Sequence, residues 1–347
     1  MSSNSYAYTY APAKRYAIDL TLSENPLGCS LKVKKAIKRA SEDIHKYPYE
    51  GHKLVHLLAK HHGIKEENIM LGAGANQLLE DVLKVYALGK NIVVPAASFP
   101  ESVACVATLG GHVKKIPLNE DLTIDCAKLL SAVQEDTALI HVCNPNSPTG
   151  IWTNVDDLWQ AANQSPVPLL ISEAGIDFIG KSILGKGIHK NVIVVRSFSK
   201  AYGLAGLRIG YVVAHASMIA RLKQNLGSYR ASSLSIAAAI AALKDQDHLK
   251  KSITYILREK AWLMGQMQKL GFEVVNSEGQ NFIARVPKSF KTAQDFCAKA
   301  AEYGIGVIDC SLYEGLEKHI RITPQKHIIN QEYILTLNTL LENQDEK

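Results

Sequence analysis

Short apolar runs recur along the chain at 69–71, 91–94, 138–143, 167–171 and 192–195. Each leads into a stretch rich in glycine, proline or hydroxyl residues. Runs of this length, bounded by turn signals, predict buried strands. Segments 31–44 and 78–86 carry helical spacing, and the alanine-rich segment 232–243 reads as a buried helix. Strands alternating with helices predict an α/β fold: a mostly parallel sheet flanked by helices, with ligands at the carboxyl ends of the strands. Beyond the alanine-rich helix the chain alternates strand and helix again, as a smaller C-terminal α/β domain. The expected division is an arm over residues 1–30 packed with the small domain, a large domain over 31–234, and a small domain over 235–347.

Composition narrows the classes. With 347 residues, 47% hydrophobic and 21% charged, the chain can bury a sizeable core. Part of the +6 net charge sits on Lys32, Lys34, Lys35, Lys38 and Arg39, spaced as one helix surface. No aromatic interleaving accompanies them, so a solvated face is expected and not a nucleic-acid partner. The six cysteines form no CxxC pair, which favours reduced thiols and a cytoplasmic protein. No run of 18 apolar residues occurs, so no membrane span is expected. His52, His56, His61 and His62 lack acidic or cysteine partners at ligand spacing, and no metal is expected.

The chemistry concentrates in 194–211, VVRSFSKAYGLAGLRIGY. A lysine just past a core strand, Lys200, is flanked by Ser197 and followed eight residues later by Arg208. Burial lowers a lysine pKa, and a neutral amine attacks an aldehyde to form a Schiff base. Ser197 and Arg208 suit a phosphate held beside it. Upstream, Gly72-Ala73-Gly74-Ala75-Asn76 joins a strand to a helix, where small residues and free N–H groups accept an anion.

The segment around Lys200 resembles the Schiff-base segment of fold-type I pyridoxal-phosphate (PLP) enzymes, within them the branch of histidinol-phosphate aminotransferase and threonine-phosphate decarboxylase. The resemblance runs in order through residues 18–335. It includes Asn25-Pro26-Leu27-Gly28, Tyr47-Pro48, the 72–77 loop, Phe99, Cys143-Asn144-Pro145-Asn146-Ser147-Pro148-Thr149-Gly150, Ser172-Glu173-Ala174-Gly175, and Arg321 in HIRIT. It implies PLP held through Lys200, which then acts as general base on an amino-acid substrate. Gly74, Ala75, Asn76, Ser197 and Arg208 would hold the phosphate, with Tyr47 reaching in from the neighbouring subunit of a homodimer. Phe99 would stack on the pyridine ring. Arg321 would clamp the substrate carboxylate, and the Asn25 turn would lie over the mouth of the site.

Three positions depart from the family pattern, all facing the ring. Ser147 replaces an asparagine that hydrogen-bonds the ring oxygen O3′. Ser172 replaces the carboxylate that pairs with the pyridine nitrogen N1, and Gly175 replaces an aromatic residue. A neutral N1 and weaker O3′ hydrogen bonding follow, together with a void at 175; Glu173 or Asp177 reaches N1 only in a different register. Segment 304–315, GIGVIDCSLYEG, is more similar to the decarboxylase branch. Ile308 stands where phospho-substrate members carry an arginine. The leading expectation is a PLP-dependent aminotransferase, the alternatives a PLP decarboxylase or lyase and a member that has lost transamination.

Overall fold

The computed structural model describes residues 16–345; the Tyr- and Ser-rich part of the expected arm, up to residue 15, lies outside them. A short strand β1 (Ile18–Asp19) precedes a seven-stranded sheet made of β2 (Ile69–Gly72), β3 (Asn91–Pro95), β4 (Val113–Ile116), β5 (Thr137–Cys143), β6 (Leu169–Ser172), β7 (Val192–Ser197) and β8 (Gly210–Ala214). Their order in space is β2-β8-β7-β6-β5-β3-β4. Only β8 runs against its neighbours, pairing antiparallel with both β2 and β7.

The apolar runs are nearly continuous because both faces of the sheet are covered. Leu169, Ile171, Val192 and Val194 enter the core on one face. Leu170, Ile193 and Val195 enter the core on the other. Each fully buried aliphatic side chain contributes about 1.5–3 kcal/mol. The sheet is therefore a rigid floor, and its carboxyl-terminal edge holds still whatever is mounted there.

The small domain is a four-stranded antiparallel sheet in the order β12-β13-β10-β9, from β9 (Glu273–Val274), β10 (Phe282–Arg285), β12 (Ile308–Asp309) and β13 (His319–Ile322). Strand β11 (Ile305–Gly306) pairs in parallel with β1, and Ile18 and Leu20 join the small-domain core. Leu20 N–H donates to Gly306 O at 2.8 Å and Thr323 N–H to Leu20 O at 3.0 Å. The start of the described chain is thereby stitched to its far end.

Two boundaries differ from the sequence expectation. The alanine-rich helix Ser233–Leu243 buries Ile236, Ala238, Ala239 and Ala242 in the large core. The next helix, Gln246–Lys269, gives Leu249 and Ile256 to that core and Leu263 and Met267 to the small one. The cores change over inside this helix, past residue 234. The helix expected from residue 78 begins at Gly74. Its glycine- and alanine-rich first turn carries no apolar periodicity to reveal it.

Candidate active site

Strands β5, β6 and β7 end in register, with Cys143 opposite Ser172 and Ser172 opposite Val195. Beyond β7 the chain turns sharply: Gly203 N–H donates to Lys200 O and Leu204 N–H to Phe198 O, at 3.0 and 3.1 Å. Phe198 and Ala201 are buried beneath, and Lys200 projects into a cavity of about 330 Å³. Ala75, Asn76, Phe99, Ser147, Ser172, Gly175, Ser197, Arg208 and Arg321 line the same cavity. Burial first, and the positive charge of Arg321 second, push the Lys200 amine down to about 8. An amine so depressed is about 300-fold richer in its neutral form at pH 7 than an ordinary lysine.

One side of the cavity is built for an anion. Helix Gly74–Tyr86 begins without a side-chain cap, so its first N–H groups remain to be satisfied. Arg208, in the left-handed region at φ +48°, lays its guanidinium against Gly74. A Cβ on Gly74 would stand 2.7 Å from the Arg208 Nη2, and the φ of Gly74 is itself +86°, so any other residue would be strained here and would displace the guanidinium. Ser197 Oγ accepts from Ser199 N–H at 3.0 Å, which leaves its hydroxyl proton to donate.

Across the cavity, Arg321 arrives from the small domain on β13, between Ile283 and Ile308. It is 2% exposed, and its guanidinium donates to the carbonyl of Thr21. Phe99 is half-buried where the cavity meets β3. Asn146 Nδ2 donates to Ala97 O at 2.9 Å, tying the loop bearing Phe99 to the loop bearing Ser147.

Two expected residues lie elsewhere. Asn25 is engaged in the backbone, its Nδ2 donating to Ala201 O and its Oδ1 accepting from Leu27 N–H, both at 2.9 Å. It fixes the turn after Lys200, while Leu22, Ser23 and Glu24 form the cavity wall. Tyr47 is 67% exposed and stacks on Tyr229 with ring centroids 4.8 Å apart, away from the cavity.

The profile of the family described as aminotransferase class I and II matches residues 16–332. The chain belongs to this family. This class I and II aminotransferase is similar to an aromatic amino acid aminotransferase of Mycobacterium bovis, with 34% identity over 311 residues, covering 86% of this chain and 87% of the relative. Its fold is similar to the structure of histidinol-phosphate aminotransferase from Sinorhizobium meliloti in complex with pyridoxal-5′-phosphate, at TM-score 0.86 and 26% identity over 95% of this chain and 92% of that one. It is also similar to L-threonine-O-3-phosphate decarboxylase from Porphyromonas gingivalis, at TM-score 0.80 and 25% identity over 93% and 99% of the two chains.

Within this aminotransferase, Ser172 has a partner that sequence reasoning missed. His141 is fully buried, and its Nε2 lies 3.1 Å from Ser172 Oγ. Burial pushes the imidazole down to about 4, so it is neutral at pH 7. Its Nδ1 is buried without a partner. An orphaned buried N–H is rarer than an orphaned acceptor, which favours the Nε2–H tautomer, with His141 donating to Ser172 and the Cys143 Sγ 3.9 Å from the same nitrogen. The Ser172 hydroxyl proton is then offered to the cavity. A histidine inside the apolar run 138–143 was the available signal. Ser172→Ala is expected to cost about 1–3 kcal/mol by orphaning the imidazole, and adding His141→Leu to recover much of it. Urea midpoints of the two single variants and the double one check this.

Glu173 and Asp177, the other candidates for the pyridine nitrogen, are both committed to Arg196, at 3.2 and 3.0 Å. Glu101 was also missed. It lines the cavity, burial raises its carboxyl to about 7, and its Oε2 is buried without a partner. Gly175 lines the cavity, and a side chain from elsewhere borders the void expected there: a Cβ built on it stands 3.0 Å from Gln280 Oε1.

Proposed function

We propose that this protein is a PLP-dependent aminotransferase that takes the amino group from an amino acid, with Lys200 as the attachment point of the cofactor. The observation that carries the reading is the depressed amine of Lys200, down to about 8, sharing one cavity with the buried Arg321. The residues present fit PLP: an uncapped helix start with Arg208 for the phosphate, a half-buried aromatic face at Phe99, and a hydroxyl donor at Ser172. When bound, PLP supplies a conjugated ring that draws electrons from the substrate Cα.

The chain's own residues do the rest. N–H groups at Ala75 and Asn76, with Ser197 and Arg208, would hold the phosphate, the Arg208 guanidinium lying against Gly74. Ser172 donates to the ring nitrogen; a hydroxyl oriented by a neutral His141 has no charge with which to keep that nitrogen protonated. Arg321 grips the substrate carboxylate with its planar fork, aligning Cα with the Lys200 Nζ. Lys200 would serve as the general base that moves the substrate Cα proton.

The side-chain pocket favours a substrate without phosphate. Ile308 is buried among Ile283, Cys310, Tyr313 and Leu316, so position 308 itself offers no charge to a substrate phosphate. Leu22, Leu79 and Phe99 give the lining an apolar side. The exposed Leu31, Ile44, Tyr47 and Tyr49 support a homodimer, with Tyr47 reaching a partner's phosphate. All six cysteines are free, which fits a reducing cytoplasm.

Mixing the PLP-loaded protein with single amino acids tests the reading. Pyridoxamine phosphate is the expected product, in a half-reaction that needs Lys200. Carbon dioxide without pyridoxamine phosphate would make the protein a decarboxylase, and failure to bind PLP would remove both enzyme readings.

A further inference from the structure

Gln280 is 3% exposed, yet neither end of its amide has a hydrogen-bond partner. A buried amide left in this state is costly, and native structures keep one where something else completes it. Its backbone is pinned from several directions. Lys260 Nζ donates to Ser277 O and Gly279 O at 2.6 and 2.7 Å. Gly279 N–H donates to Gly150 O at 2.9 Å, and Asn281 Nδ2 to Pro148 O at 2.8 Å. The loop carrying Gln280 is therefore locked onto the loop carrying Ser147, and the side chain is delivered to one place.

That place is beside Lys200. A Cβ built on Gly175 lies 3.0 Å from Gln280 Oε1 and 3.7 Å from Lys200 Nζ, so amide and amine converge on one point. Gly175 lines the cavity; with no side chain of its own, it opens this point to the amide. Because neither amide heteroatom is engaged, turning the amide over breaks no hydrogen bond and puts Nε2 in the place of Oε1, facing Gly175 on the Lys200 side.

We propose that Gln280 is a cofactor-binding residue, donating from Nε2 to the ring oxygen next to the carbon that Lys200 joins. The inference rests on the reading that PLP is attached to Lys200. In such an attachment the ring oxygen neighbours the Lys200 nitrogen, where the amide converges. That oxygen carries negative charge and shares the proton of the Lys200 linkage. A donor on the oxygen stabilises its charge and so weakens its hold on the shared proton. Gln280, with Ser147 on the adjoining loop, thus sets the pH at which Lys200-linked PLP loses its proton. Gly175 and Gln280 are one device: the glycine gives up the space, and the glutamine enters it from the small domain.

The test is a pH titration of the visible band of PLP-loaded wild type, Gln280→Leu and the isosteric Gln280→Glu, with Lys200→Ala defining which band belongs to the linkage. Removing the donor is expected to raise the titration midpoint by about one pH unit, a tenfold change in proton affinity. Gln280→Glu should raise it further, because a carboxylate repels the ring oxygen's charge. A band that still depends on Lys200 but titrates at the wild-type midpoint in both variants would overturn this inference and leave the proposed function standing. A wild-type protein with no Lys200-dependent band would overturn both.

Discussion

Lys200→Ala is expected to lower turnover by about ten-thousand-fold or more, since on the proposed function one substitution removes both the attachment point and the base. The same change should make the cofactor-free protein more stable at neutral pH. The sign follows from where the proton binds. The folded amine titrates at about 8 and the unfolded one at 10.5. Between those values the unfolded chain holds a proton that the folded one lacks, so stability rises with pH. Below about 8 both states are protonated, and the whole penalty of keeping a charged amine beside Arg321 is present. Alanine carries no such penalty. Thermal melts of cofactor-free wild type and variant should therefore differ most below pH 8, and the difference should narrow as pH climbs toward 10.5. A variant less stable than wild type at pH 7 would contradict the reading of Lys200 as a strained, functional amine.

The largest stability loss is expected at Arg196→Met. Arg196 and Glu173 are 6% and 0% exposed, and Arg196 also holds Asp177. Breaking a buried ion pair from one side leaves an uncompensated charge and costs about 3–5 kcal/mol. Ser182 Oγ and the Ile183 N–H still donate to the Glu173 carboxylate, which limits the damage but cannot replace a full charge. Burial pushes the Glu173 carboxyl upward, and Arg196 opposes it. Without the arginine the folded carboxyl rises further above its unfolded value, so the folded state binds more protons across the acid range. The deficit should accordingly shrink as pH falls from neutral, which urea midpoints at two pH values would show. Glu173 follows Ser172 directly, so cofactor affinity should fall together with stability.

Much of the site was legible because strand ends are chemically marked. The apolar runs located β5, β6 and β7, and the polar residues directly after them, Ser147, Ser172, Ser197 and Lys200, proved to share one cavity. Arg321 was legible from its place in HIRIT. What stayed hidden depends on approach across the fold. Gln280 reaches Gly175 only because Asn281 and Gly279 bind the 148–150 loop, and nothing local to either residue announces it. His141 is a lone polar residue in the run 138–143, and only the neighbouring strand places Ser172 beside it. The reach of the large core past residue 234 was hidden for a related reason. An alanine-rich helix carries no mark of which core it joins; its packing against helix Leu31–Ala40 decides that.

The stitching of residues 18–23 to β11 and β13 also implies an order of assembly. Arg321 meets Thr21, and Ser23 meets Thr323 at 3.3 Å, each across 300 positions of sequence. Contacts so far apart form slowly, and during synthesis the N-terminal unit folds first. A nascent chain therefore builds the Lys200 scaffold while residues 18–24 still wait for a partner. On the proposed function, the residues assigned to the cofactor are then assembled before Arg321, which takes its place against Thr21 only once β13 has emerged.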